Sequence, residues 1–347
     1  MTDSKQTTQG APSGFKWKPL VTNQSSILVL VIAVLAAVFA VYSGGSFLSL
    51  DVFSNIFTDW GLVVLLAVGQ TFVVISGGID LSVGSTVSLS GVVAGVVMVK
   101  WLRLDLSVSN EAAIPALLAG LGVCVVTGII VGLVNAFLIN VVNIVPFIAT
   151  LATLTGGAGL AVIWSGGMPL QGPNYYALAN PIDLGGGIVL KPLSFIVLAA
   201  LIVVIIAGLF LHKARFGLYT YAIGSNPFAA KAAGINVKRH LTWVYAVSGA
   251  LSGLAGMYAY TRLGSGSPSS GAGFELQAIA AVVIGGTSLM GGSGKMLGTL
   301  LGAFLLYEVQ SGLLMVGMDP NWKQVIVAIM IAGAVGVQGF NFSQRRK

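Results

Sequence analysis

The chain has 347 residues, of which 56% are hydrophobic and only 8% charged, and its mean hydropathy is +0.94. A soluble domain carries roughly 25% charged residues, so this composition excludes a soluble protein and specifies an integral membrane one. The net charge of +7 does not point to nucleic acid, because the cations sit at the edges of apolar runs rather than on one face of a domain.

Residues 1–25 are polar, rich in Ser and Thr, and lack a cleavable targeting pattern, which predicts a disordered cytoplasmic tail. Ten apolar runs follow. They lie at Ser26–Tyr42, Gly61–Ile75, Val83–Val99, Ala112–Phe137, Ile144–Trp164, Leu193–Leu211, Leu241–Tyr260, Leu276–Ile284, Leu297–Val316 and Gln324–Val337. Most approach the ~20 residues that a bilayer core requires. The second, third, eighth and tenth look short, as broken or tilted helices lining a cavity do. The expected fold is an all-α integral membrane protein of about ten transmembrane helices, some short or broken. One membrane domain spans 26–340, interrupted by a polar loop at 212–240 and closed by a basic tail at 341–347. Cys124, the only cysteine, falls inside the fourth run and reads as a small packing residue, so no disulfide forms within the chain.

Eleven of the seventeen Lys and Arg lie in the N-terminal tail, the polar loop and the C-terminal tail, which places all three, and both termini, on the cytoplasmic side. Six runs before the loop and four after it satisfy that threading.

Four segments carry the candidate chemistry. Gly77 to Ser85, GGIDLSVGS, joins the second and third runs. Gly77 and Gly78 permit a turn, and Asp80 or Ser82 can cap the next helix, a reading favoured for Asp80 over an ion or proton ligand. Asn135, Asn140 and Asn143 surround a turn before Pro146 and Phe147, where a helix can start. The third segment contains Gly285, Gly286, Thr287, Ser288 and three further glycines before Lys295. It is not a phosphate loop, because Leu289 stands where the first Gly is needed and Met296 follows the lysine. Gly77-Gly78-x-x-Leu81-x-x-Gly84-Ser85 matches Gly285-Gly286-x-x-Leu289-x-x-Gly292-Ser293 and marks both places as helix breaks.

The fourth segment is the cation-rich loop. It encloses GSNPFAAKAAGI, residues Gly224, Ser225, Asn226, Pro227, Phe228, Ala229, Ala230, Lys231, Ala232, Ala233, Gly234 and Ile235. Asn226 can cap a short helix, Pro227 suits its first position and Gly234 ends it. The alanines make that helix narrow enough to seat in a partner's groove; the alternative is a helix lying on the anionic leaflet. His212 and His240 bracket the loop without ligand neighbours, so no metal site is expected. Glu308, deep in the ninth run, either lines a pathway or packs near the outer interface. Interfacial belts account for most of the tryptophans.

Taken together and in this order, GGIDLSVGS, PFIATLATL, GLYTYAIGSNPFAAKAAGINV and AIAAVVIGGTSLMGGSGKMLGTLLGA resemble the ribose-type permease subunits of bacterial ABC sugar importers over about Asn55 to Val335. The resemblance implies a multi-pass inner-membrane subunit working by alternating access, with two permease copies, a cytoplasmic ABC ATPase at each coupling helix and a periplasmic sugar-binding protein. On it, Gly224 to Ile235 carry the coupling helix. Gly77, Gly78, Asp80, Ser82, Asn135, Phe147, Gly285, Gly286, Thr287, Ser288 and Glu308 belong to the pathway or gate. ATP and Mg would be bound by the ATPase alone, leaving no cofactor and no catalysis in this chain. A self-sufficient secondary transporter or facilitator is the alternative, and Asp80 and Glu308 are its only plausible coupling carboxylates.

Overall fold

A computed structural model describes residues 24–104, 110–184 and 189–345; the predicted N-terminal tail lies almost wholly outside them. Helices occupy all ten expected positions: α1 (Gln24–Tyr42), α2 (Leu50–Ile75), α3 (Val83–Gly95, prolonged by a π turn at Val96–Trp101), α4 (Asn110–Asn140), α5 (Pro146–Ser165), α7 (Phe195–Lys213), α10 (Val237–Leu263), α11 (Phe274–Ile284), α12 (Met296–Met315) and α13 (Trp322–Arg345). Seven helices of the described residues are long and apolar enough to cross a membrane. α10 has the length but is diluted by Ser, Gly and Tyr, a composition suited to protein neighbours rather than lipid. α13 absorbs most of the predicted basic tail.

α2 is the axis of the molecule, with every residue from Trp60 to Ile75 buried. It is eleven residues longer at its start than the apolar run that announced it, because Asp51 and Asp59 lie within its first half. There they pair with Lys191 and Arg262. α1, by contrast, buries only Leu28 and Phe39 and leans on the rim of the bundle against α12.

The closest helix pair is α4 with α10, whose Gly128-x-x-x-Gly132 and Gly249-x-x-x-Gly253 steps interlock. A Cβ on Gly249 would lie 2.1 Å from the carbonyl oxygen of Gly128, and one on Gly253 would lie 2.2 Å from that of Cys124. Only bare backbone permits this approach, the packing device that membranes favour where no hydrophobic force drives helices together. These spacings were legible in the sequence and passed unremarked; Cys124 takes the packing role expected of it.

Contacts between loops join segments threaded to one side. At the end opposite the cation-rich loop, β1 (Leu170–Gln171) pairs with β4 (Ser265–Gly266), and β2 (Pro181–Asp183), which follows the short helix α6 (Tyr176–Ala179), pairs with β3 (Val189–Ser194). At the cation-rich end, Asn140 donates to the Lys238 carbonyl and to Thr242 Oγ1, both at 3.0 Å.

α11 has only eleven residues, about 16 Å against a hydrocarbon thickness of about 30 Å. The chain reaches its start by a dive along α3 through a run of turns: Gly266 lies against the Gly91 carbonyl, Gly271 N–H donates to Ser88 Oγ at 2.9 Å, and Gly271 abuts the Gly84 carbonyl. Gly84 to Gly91 is about 10 Å of helix. α11 therefore begins inside the bundle. The non-helical backbone leading to it is packed against protein at Gly266 and Gly271 while Ser269 and Ala272 stay exposed. Irregular backbone is tolerated at membrane depth in this way, where it is buried in protein or lines a water-filled cavity.

Candidate functional site

α2 and α11 end in the same way. Gly77 and Gly286 take left-handed φ angles of 87° and 89°, and each helix closes with paired reverse bonds: Gly77 to Val74 and Gly78 to Val73 in one, Gly286 to Val283 and Thr287 to Val282 in the other. Both glycine pairs are helix breaks, as expected, but the equivalence runs one residue away from the sequence match. Val73-Val74-Ile75-x-Gly77 corresponds to Val282-Val283-Ile284-x-Gly286, because the left-handed C′ position sets the register.

After the first break, Asp80 becomes the centre of a buried polar knot. Its Oδ1 accepts from the N–H and Oγ of Ser82 (3.0 and 2.6 Å), and its Oδ2 accepts from Ser248 Oγ of α10 (2.8 Å). Asn135 of α4 donates to Ser82 Oγ at 2.8 Å and accepts from Thr153 Oγ1 of α5 at 2.5 Å. Thr150 of α5 donates to the Ile79 carbonyl at 3.1 Å. Gln70 of α2, its amide turned to satisfy both groups, donates to the Asp80 carbonyl (3.1 Å) and accepts from the Asp80 N–H (3.2 Å). The segment around Asp80 thus ties five helices together, the carboxylate itself reaching Ser82, Ser248 and Asn135 and the backbone and neighbours reaching α2 and α5. Asp80 accepts from Ser82, which precedes α3, but contrary to expectation no side chain caps the first turn of that helix, and the reach to Ser248 and Gln70 had no signal in local sequence. Replacing Asp80 with Ala is expected to lower thermal stability, at roughly 1–3 kcal/mol for each donor orphaned, and Asp80→Asn to lower it less. The melting temperature of the detergent-purified protein reads both.

The segment Gly224 to Ile235 folds as the capping signals require. α8 (Arg215–Ser225) precedes α9 (Pro227–Ala232). Asn226 Oδ1 accepts from the N–H groups of Phe228 and Ala229, both at 3.0 Å. Gly234, with φ 86°, and Ile235 bond back to Lys231 and Ala230. α9 stands out from the protein: Phe228 is 85% exposed, Ala229, Lys231, Ala232 and Ala233 are exposed, and only Ala230 (4%) turns inward. Phe228 had not been singled out, although an aromatic among alanines in a polar loop was there to be seen.

α9 is joined to the helix breaks chiefly through close backbone contacts. Gly292 N–H donates to the carbonyl of Ile75, the last residue of α2, at 2.8 Å. A Cβ on Gly224 would lie 1.7 Å from that same carbonyl oxygen and 2.6 Å from Gly292 N, and one on Gly291 would lie 3.1 Å from Gly77 Cα. Gly77, Gly224, Gly291 and Gly292 therefore meet at one junction under the outstanding helix, where no side chain fits between the three segments.

The remaining predicted residues scatter. Gly285 abuts Gly298 of α12, Thr287 and Ser288 are buried in the loop that follows α11, and Phe147 is half-exposed one turn before Thr150. Glu308 is buried on α12 with one oxygen unpartnered, and among the described residues no hydrogen bond links it to the Asp80 knot. His212 and His240 do not meet: His212 Nε2 accepts from Met296 N–H at 3.3 Å, and His240 shares a 2.9 Å bond with Thr220. Polar groups that sequence reading missed lie where the dive meets α3. Ser267, Ser269, Ser270 and Glu275 keep some exposure there, beside Ser85 and Ser88.

Comparison with known proteins agrees with this architecture. Residues 52–335 match the family described as the permease component of branched-chain amino acid transport systems. The chain is 35% identical to the ribose import permease protein RbsC of Haemophilus influenzae, over 93% of this chain and 95% of that one. It is 34% identical to RbsC of Escherichia coli K12, over 92% and 94%, and 32% identical to the galactose/methyl galactoside import permease protein MglC of the same strain, over 93% and 96%. No solved structure matches. A multi-pass bundle with a capped, outstanding helix, matched along nearly its whole length by such proteins, is a member of the ABC-importer permease family, in its ribose-type branch.

Proposed function

We propose that this subunit passes a neutral sugar or sugar-like solute across the inner membrane by alternating access, driven by an ATPase that docks on α9. The observation that carries this reading is the outstanding, Phe-tipped α9, stitched through the glycine junction to the ends of α2 and of the loop after α11. Force applied to α9 reaches both helix breaks chiefly through backbone rather than deformable side chains. ATP and Mg would be held by the partner, a binding protein would deliver solute at the outer end, and a second permease copy would complete the pore.

Along the path, the exposed groups of the dive and the open face of α5 around Thr155, Gly156 and Gly159 offer hydroxyls and backbone but few charges. Such a wall suits a polyhydroxylated solute held weakly, with affinity residing in the binding protein. Gly77, Gly78, Gly285, Gly286, Thr287 and Ser288 belong to the gate on this reading, while Asp80, Ser82 and Asn135 hold it in shape. A gradient-driven carrier would have to couple through Glu308 rather than Asp80, because both carboxylate oxygens of Asp80 are occupied by neighbouring hydroxyls and amides while one oxygen of the buried Glu308 is unpartnered.

The test is uptake of labelled ribose, galactose and leucine by cells expressing the permease with its ATPase and binding protein. Sugar uptake that disappears when the ATPase is inactivated is expected. Uptake that persists without the ATPase would overturn the ATP-driven reading, and uptake of leucine alone would overturn the substrate class.

A further inference from the structure

A cleft of about 980 Å³ opens at the cation-rich end, between the start of α1, the α7–α8 corner and the loop leading into α12. Lys213 and Arg215 line it from the corner, Lys295 lines it from the loop, and among the described residues no Asp or Glu lines it. Neither of the two ion pairs among the described residues involves these three cations. Its walls are held in place: Tyr221 Oη donates to the Gly294 carbonyl at 2.7 Å, and His212 accepts from Met296 N–H. The rest of the lining mixes the polar Gln24, Ser25 and Ser293 with open leucines, Leu218 65% and Leu297 56% exposed.

We infer that this cleft binds the phosphate headgroup of an anionic phospholipid of the cytoplasmic leaflet. Three cations from two segments, converging with no acid among the described residues, match a phosphodiester; an arginine and lysines together supply a planar fork and point charges. The cleft lies where α7 ends and α12 begins, at the depth of headgroups. Its exposed leucines and the exposed apolar side of α1 offer a path for acyl chains, which a free phosphate would not use. Basic pockets between transmembrane helices on the cytoplasmic side take anionic headgroups by this combination. Because α8 runs from the cleft to Gly224, an occupied cleft holds the corner from which α8 and α9 project. The inference depends on the membrane orientation and not on the transported solute or the ATPase.

The experiment uses the full-length permease, purified in mild detergent and titrated with phosphatidylglycerol, phosphatidylcholine or inorganic phosphate. Bound lipid is counted by native mass spectrometry on the monodisperse fraction. Wild type is expected to retain phosphatidylglycerol over phosphatidylcholine, and the preference is expected to fall about fivefold for each cation removed in Arg215→Gln and Lys295→Gln. Lys295→Arg, which keeps the charge, is expected to retain it. Lys238→Gln with Arg239→Gln removes two exposed cations at the same end outside the cleft and is expected to leave the preference unchanged. An equal fall in that control would overturn the site in favour of diffuse surface charge. Unchanged binding in the cleft variants would overturn it outright, and displacement of the lipid by inorganic phosphate would reassign the cleft to a free anion.

Discussion

Gly224→Val is expected to leave the partner ATPase bound to the permease and to abolish most sugar uptake. A side chain at residue 224 meets the Ile75 carbonyl oxygen at 1.7 Å and Gly292 N at 2.6 Å, both backbone atoms that cannot rotate away. Overpacking of this kind costs about 1–3 kcal/mol. Applied to one side of a two-state gate, that shifts its equilibrium about five- to 150-fold. α9 begins beyond the junction and keeps its own cap at Asn226, so its docking surface survives. Uptake normalised to membrane expression, measured beside ATPase co-purification and ATP turnover, separates the outcomes. Wild-type uptake would remove the junction from the transmission path, and loss of co-purification would show that the substitution disturbs α9 itself.

Phe228→Asp is expected to have the opposite signature, with the permease folded and the ATPase lost. Phe228 is 85% exposed, so its removal leaves no cavity in this chain. An aromatic that becomes central in an interface commonly contributes 2 kcal/mol or more, so an affinity loss of about thirtyfold is expected. Titrating the detergent-purified variant with the ATPase reads this directly, and undiminished affinity would place the docking surface elsewhere. Ala230→Glu is not an equivalent probe. Ala230 is 4% exposed, and a carboxylate there is expected to lower the yield of folded protein before it reports on any partner.

Much of this site is local chemistry and could be read along the chain. The cap at Asn226, the proline that follows it and the glycine stop at Gly234 act within a dozen residues, so α9 forms as its sequence specifies. The helix breaks at Gly77 and Gly286 are equally local, since a left-handed C′ residue is needed wherever a helix ends in paired reverse bonds. The register between the two breaks was misread because identity of residues was matched, whereas the backbone equivalence follows the capping position. α2 was read as short because hydropathy penalises Asp51 and Asp59, and only the fold shows that Lys191 and Arg262 neutralise them.

By itself the sequence determined that the chain lives in a membrane, where most of its helices lie, where its cations cluster and which segment forms a short capped helix. These follow from transfer energies, caps and charge counts, all properties of short windows. Tertiary structure alone decided that the segment around Asp80 ties five helices together, that Gly224 touches Ile75 and Gly292, that Ala230 faces inward while Phe228 faces out, and that three cations share one cleft. Each of these depends on groups separated by up to 168 residues in the chain. Such meetings are set by how whole helices pack against one another, and no local periodicity encodes them.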